Sequence, residues 1–263
     1  MGCLIAGGDS FTYGSELADC FILSDTAPPK EVPSQHTYTA LIARDMGLEY
    51  VCAAEPGYSN SAIRRSVMNT CDQYLDIEQV IVTWSFPGRY EFNFNSSWEQ
   101  ISPWSVSDNA EKTIKKDFQI DNPIVFQHHL DKLQREQTLG ISDFARVFYS
   151  KIGGYEYWEV YHSLLDIVLL QQYLELRNIP YLFLGVDECL IDNVNKHLDD
   201  ISIKTLQQQL NLNNWYWFSG HKGFYTWAKD NKFPFATTHP REEAHIEAAN
   251  LIYEHLRYIG RLP

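Results

Sequence analysis

Four short, mainly apolar runs punctuate the chain, at 3–7, 50–54, 80–84 and 181–186. Between them, apolar residues recur every three or four positions. The runs read as strands buried on both faces, and the periodic stretches as helices. Ser34 to Met46 predicts a helix that Gly47 stops. Asn60 to Leu75 predicts another, with Ile63, Val67, Cys71 and Leu75 on one stripe. Residues 155–176 predict a long amphipathic helix, and Asn178-Ile179-Pro180 introduces the fourth strand. The last helix begins near Pro240, where proline is tolerated in a first turn, and carries Ala244, Ala248, Ile252 and Leu256 along one face. This alternation predicts an α/β fold: a three-layer α/β/α sandwich with a mostly parallel sheet.

The rhythm breaks twice. Residues 86–135 mix aromatics, Asn, Ser and Pro around one charged stretch, Asp108 to Asp117, and read as an insertion of loops and short helices. A second irregular region, 188–235, predicts a helix near 200–211. Nothing reads as an interdomain linker, so the expectation is one domain over 1–263 carrying these two insertions.

Composition narrows the partners. The 263 residues carry a formal net charge of −13, with 34 acidic against 21 basic side chains. Such a surface repels a phosphate backbone and an anionic lipid surface, so neither nucleic acid nor membrane is an expected partner. No apolar run is long enough to span a bilayer. The first strand begins at residue 3, which leaves no room for a signal peptide and predicts a non-secreted, cytoplasmic protein. Cys3, Cys20, Cys52, Cys71 and Cys189 show no paired spacing and are expected to be free thiols.

In an open α/β sheet, ligands sit beyond the carboxyl ends of the strands. That rule selects residues 8–14, 54–60, 84–91 and 187–189. Ser10 lies in the first of these, in Gly7-Gly8-Asp9-Ser10. The glycines permit a tight exit from the strand, Asp9 can cap the following turn, and backbone N–H groups there can face an oxyanion. A serine at this place also serves as a plain turn residue.

Gly8-Asp9-Ser10-Phe11 resembles the first block of the GDSL, or SGNH, hydrolases, with Phe11 where that family usually has leucine. The resemblance extends to Pro56-Gly57-Tyr58-Ser59-Asn60 after the second strand and to Thr238-His239-Pro240 before the last helix. His245 sits where that family often keeps a histidine. The resemblance implies a flavodoxin-like SGNH fold and a cofactor-free serine hydrolase acting on a small acyl or carbohydrate ester, with a glycan as a possible substrate. Ser10 would be the nucleophile, His239 the base, and the Ser10 and Gly57 N–H groups the oxyanion donors.

The chain departs from the family pattern twice. After the third strand the family offers a glycine and an asparagine; here the segment is Thr83-Trp84-Ser85-Phe86-Pro87-Gly88-Arg89-Tyr90-Glu91. Asn60 is a substitute oxyanion donor. Arg89 either binds an anionic substrate group or pairs with Glu91 or another acid. Three residues before the histidine, where the family has aspartate, stands Ala236. Losing an orienting carboxylate can cost about 10⁴ in turnover. Three readings stay open: Asp187 supplies the carboxylate, with Asp230 a lesser candidate; Ser10 and His239 work as a dyad; or hydrolysis is lost and a binding or assembly protein remains. Trp84, Phe86 and Tyr90, with Trp98 or Trp104, are expected to wall a flat apolar cleft. His128-His129, His197 and His221 lack metal-ligand spacing, and Asp187-Glu188 with Asp192 read as solvent-facing acids, so no metal is expected.

Overall fold

The protein is described from a computed structural model that covers residues 2–22, 30–106, 127, 130–131, 134–135 and 139–261. The charged run Asp108 to Asp117 lies outside the described residues.

The first apolar run becomes β1 (Cys3–Gly7), followed at once by a four-residue helix, α1 (Ser10–Tyr13). A small antiparallel pair, β2 (Phe21–Ile22) with β3 (Lys30–Glu31), leads to α2 (Tyr38–Asp45). Next come β4 (Glu49–Cys52), α3 (Asn60–Cys71) and β5 (Ile77–Trp84). Thr37 and Ser59 start α2 and α3 by accepting the N–H of Ala40 and Ala62, each at 3.2 Å. A hairpin follows, β6 (Tyr90–Phe94) with β7 (Ser97–Ile101), and then α4 (Ile141–Phe148) and the long α5 (Glu156–Leu176). Beyond β8 (Tyr181–Gly185) lie α6 (Cys189–Lys196), α7 (Ile201–Gln207), α8 (Phe224–Asp230) and the closing α9 (Glu242–Tyr258).

β4, β1, β5 and β8 form one all-parallel sheet in that order. Successive side chains of a strand point to opposite faces, and each face is covered. Leu4, Ala6, Ile81, Leu182 and Leu184 pack under α2, α8 and α9. Cys3, Ile5, Val80, Val82 and Phe183 pack under α3, α5 and α7. This is the three-layer architecture expected from the apolar runs. A fully buried Leu or Ile here contributes about 1.5–3 kcal/mol.

The insertions are where expectation and structure part. The described part of 86–135 holds an antiparallel hairpin beside the expected short helical pieces, such as the 3₁₀ turn Pro103–Val106. Asn95 and Ser96 sit at φ 47° and 68°, the left-handed pair that a two-residue hairpin turn needs. Tyr90, Phe92 and Phe94 share one face and pack on Phe144, Phe148 and Tyr149, a small third core. In 188–235 the expected helix near 200–211 is α7, and α6 and α8 flank it. Among the described residues, no helix is long and apolar enough to cross a membrane.

The strand order fixes where a site can form. The chain steps from β1 to β4 on one side, then crosses to β5 on the other. Beyond the carboxyl ends of β1 and β5 this reversal opens a crevice. Ser10 leaves one strand there and Ser85 the other.

Candidate active site

Asp9 builds the turn that carries Ser10. Its Oδ1 accepts the N–H of Phe11 at 3.1 Å, capping α1. Gly8 lies at φ 157°, and a Cβ there would stand 2.1 Å from Thr12 Oγ1 and 3.3 Å from Thr83 O. Only glycine lets the chain pass this closely over β5. Gly14, in the left-handed conformation, ends α1.

Ser10 Oγ lies 2.8 Å from His239 Nε2. His239 comes from the segment just before α9, and its ring rests on Phe11 with centroids 4.7 Å apart. The other ring nitrogen, Nδ1, is 2.8 Å from Glu16 Oε2 and 2.9 Å from Thr238 Oγ1. The same Glu16 oxygen accepts the backbone N–H of Thr238 at 2.9 Å and of His239 at 3.0 Å. Burial pushes the Glu16 carboxyl up, but the hydrogen bond and charge of His239, with the two backbone N–H groups, outweigh it and hold it at about 2. An ionised carboxylate only accepts. Nδ1 therefore carries the proton, and Nε2 is left to accept from the Ser10 hydroxyl.

The carboxylate on the histidine is thus Glu16, six residues after the serine, and neither Asp187 nor Asp230. Asp187 Oδ1 accepts the N–H of Cys189 at 3.1 Å, and burial first of all raises its pKa. Asp230 pairs with Lys222 at the surface. The resemblance pointed to an acid on the histidine segment, whereas this one arrives on the serine segment. The signal available in the sequence was slight: an acid two residues past the glycine that stops α1.

The remaining expected residues divide. Gly57 sits at φ 83° in the turn after β4, at the same sheet edge as Ser10, and nothing lies within 4 Å of where its Cβ would be. Asn60 is buried, with its amide committed elsewhere. Nδ2 donates to Ser85 O at 3.2 Å and Ser163 Oγ at 3.0 Å, and Oδ1 accepts from Ser85 N at 2.8 Å. Both amide protons are therefore taken, which removes Asn60 as an oxyanion donor. Arg89 is drawn to Asp9, the acid of the Ser10 turn. Its Nη1 donates to Asp9 Oδ2 at 2.8 Å and Ser85 Oγ at 3.0 Å, with the side chains of Arg89 and Asp9 9% and 0% exposed. Glu91 is held by Arg65.

The expected aromatic wall is mostly core. Trp84 is buried against Phe183, on the α3 and α5 side of the sheet. Tyr90 is buried in the hairpin core, its hydroxyl donating to Gly153 O at 3.0 Å. Phe86 does adjoin the site: it meets Phe11 edge-on at 6.3 Å and lies under the Arg89 guanidinium at 5.0 Å. Trp98 is exposed on the hairpin with Arg65 over its ring. The Trp104 side chain lies outside the described residues. His245 is buried, and its Nδ1 accepts the N–H of Tyr38 at 3.2 Å. Desolvation first, then the charge of His239, lowers it to about 3. His197 lies 3.1 Å from Glu156, and His128 and His129 fall outside the described residues. Among the described residues, no three His, Cys, Asp or Glu side chains come together to hold a metal ion.

No family model matches the chain, and no curated protein matches it. Solved structures do. A psychrotrophic esterase from Pseudoalteromonas sp. is similar at 9% identity over 98% of both chains, with a TM-score of 0.49. An acetyl xylan esterase from the rumen bacterium Butyrivibrio proteoclasticus is similar at 11% identity over 100% of this chain and 65% of its own, with a TM-score of 0.49. A putative lipolytic protein of the G-D-S-L family from Desulfitobacterium hafniense is similar at 12% identity over 97% of this chain and 99% of its own, with a TM-score of 0.30. At these values the likeness carries no argument, and the chemistry rests on the site itself.

Proposed function

We propose that this protein is a serine hydrolase that cleaves a small acyl or carbohydrate ester. One observation carries the reading: the continuous contact from Glu16 through His239 to Ser10, 2.8 Å at each step. Ser10 Oγ attacks the acyl carbon while its proton passes to His239 Nε2. Glu16 holds the ring in the accepting tautomer and stabilises the imidazolium. The tetrahedral oxyanion is met by the backbone N–H groups of Ser10 and Gly57. His239 then gives its proton to the leaving alcohol oxygen, which departs with the bonding pair. Water, deprotonated by His239, releases the acid and restores the Ser10 hydroxyl.

A fluorophosphonate probe labels Ser10 if this is right, and Ser10→Ala abolishes both labelling and turnover. Acetylated sugars and short-chain aryl esters are the first substrates to compare, with a long-chain lipid ester as contrast. A preference for the long chain would contradict the small-ester choice.

A second reading has its own observation. With Asn60 committed to Ser85 and Ser163, the oxyanion is left with backbone donors. Removing one oxyanion-hole side chain costs about 10²–10³ in turnover elsewhere. In that reading the site binds an acyl group and turns it over very slowly or not at all. A wild-type protein that neither labels nor hydrolyses any ester would favour it.

A further inference from the structure

The β6–β7 hairpin is tied to both turns from which the proposed oxyanion donors come. Arg89, directly before β6, reaches the Ser10 turn. Its Nη1 donates to Asp9 Oδ2 and to Ser85 Oγ, and Ser85 Oγ donates to the same Asp9 oxygen at 2.6 Å. The other Asp9 oxygen holds Phe11 N, so the whole buried carboxylate serves to fix residues 9–11. Gln100, in β7, reaches the other turn: its Oε1 accepts the N–H of Ser59 at 3.0 Å, two residues beyond Gly57. Across the hairpin, Gln100 Nε2 donates to Glu91 Oε2 at 3.3 Å, and Arg65 of α3 holds Glu91 at 2.7 Å. Tyr149 closes the base of the hairpin, with its hydroxyl 2.7 Å from Gly88 O and 3.2 Å from Ile101 O.

We infer that this hairpin is a clamp that sets the spacing of the two backbone oxyanion donors, with Arg89 and Gln100 as its positioning residues. The inference rests on the ester-hydrolase reading and goes one step past it. The two donors leave different strands, β1 and β4, and the helix that Ser10 opens is only four residues long. With the Asn60 amide committed, these backbone groups carry the oxyanion, and a 1 Å misplacement costs about 100-fold.

The test measures labelling of Ser10 by a small fluorophosphonate and kcat and KM on a short-chain aryl ester, in the full-length protein. Arg89→Ala and Gln100→Met each lower the labelling rate and kcat by about 100-fold, leaving KM near its wild-type value. Arg89→Lys, which keeps one charged donor for Asp9, recovers part of the loss. A packing role alone would lower Tm while the folded variants label at the wild-type rate, and that result overturns the clamp. Should Arg89→Ala fail to fold, Gln100→Met, half-buried on the hairpin, decides by itself. A wild-type protein that is not labelled at all overturns the hydrolase reading instead, which keeps the two failures distinct.

Discussion

Glu16 stands at φ 69°, a left-handed conformation that costs a residue other than glycine about 1–2 kcal/mol. Such strain persists where the surroundings over-determine it, and here four donors converge on one oxygen. Glu16→Gln is the sharpest substitution at this position. The new amide can donate to Nδ1, which favours the tautomer that cannot take the Ser10 proton. Turnover is expected to fall by about 10⁴ with the fold intact. Asp187→Asn, by contrast, should leave it near the wild-type value. Assaying the two variants side by side on an aryl ester checks this, and wild-type turnover in Glu16→Gln would remove Glu16 from the proposed mechanism. A second prediction concerns Gly8. Gly8→Ala would press a methyl group against Thr12, whose hydroxyl lies 3.2 Å from Tyr38 Oη, and should cost about 1–3 kcal/mol in urea unfolding.

Elements differ in how far the sequence announces them. β1, β8 and the inner part of β5 are dominated by apolar residues because both faces of a covered parallel sheet are dry, and such runs are plain to read. The hairpin was hidden: its turn is Asn95-Ser96 rather than the commoner pair with glycine, and its aromatic face packs on α4, which is far away in sequence. Ser10 and His239 were legible because each follows or precedes an element with a clear pattern. Glu16 was not, since nothing local forces a glutamate into a left-handed turn; a partner 223 residues away does. Trp84 and Tyr90 show the reverse error, because aromatic residues beside a site serve the core equally well. In α9, His245 titrates against the fold. Its pKa drops from an ordinary 6.5 to about 3, so the unfolded chain binds the extra proton between those values, and stability is lost as pH falls. Asp166, raised to about 6 mainly by burial, works in the opposite direction, so the comparison must be between proteins. His245→Gln should show a shallower loss of unfolding free energy between pH 6.5 and pH 4.5 than wild type in denaturant titrations. Parallel curves would contradict a neutral buried imidazole.

At the scale of the whole molecule, stability rests on the two apolar layers against the sheet. All five cysteines are free, with Cys3, Cys20 and Cys71 buried. Thermal unfolding should therefore give the same Tm with and without a thiol reductant. A drop on reduction would reveal a cross-link absent here. The site itself is assembled very unevenly along the chain. Ser10 and Glu16 share one short stretch beside β1, while His239 is brought in from 229 residues away by the docking of α9. The acid stretch also grips that end of the chain, Ala18 N donating to Glu242 Oε1 at 2.9 Å. In the proposed mechanism, competence thus reduces to a single long-range event. When the C-terminal helix lifts away, the relay opens at both histidine contacts at once, and serine and glutamate stay where they were. Activity would then report the local opening of one helix, vanishing in mild denaturant before the sheet gives way, and returning as fast as that helix re-docks.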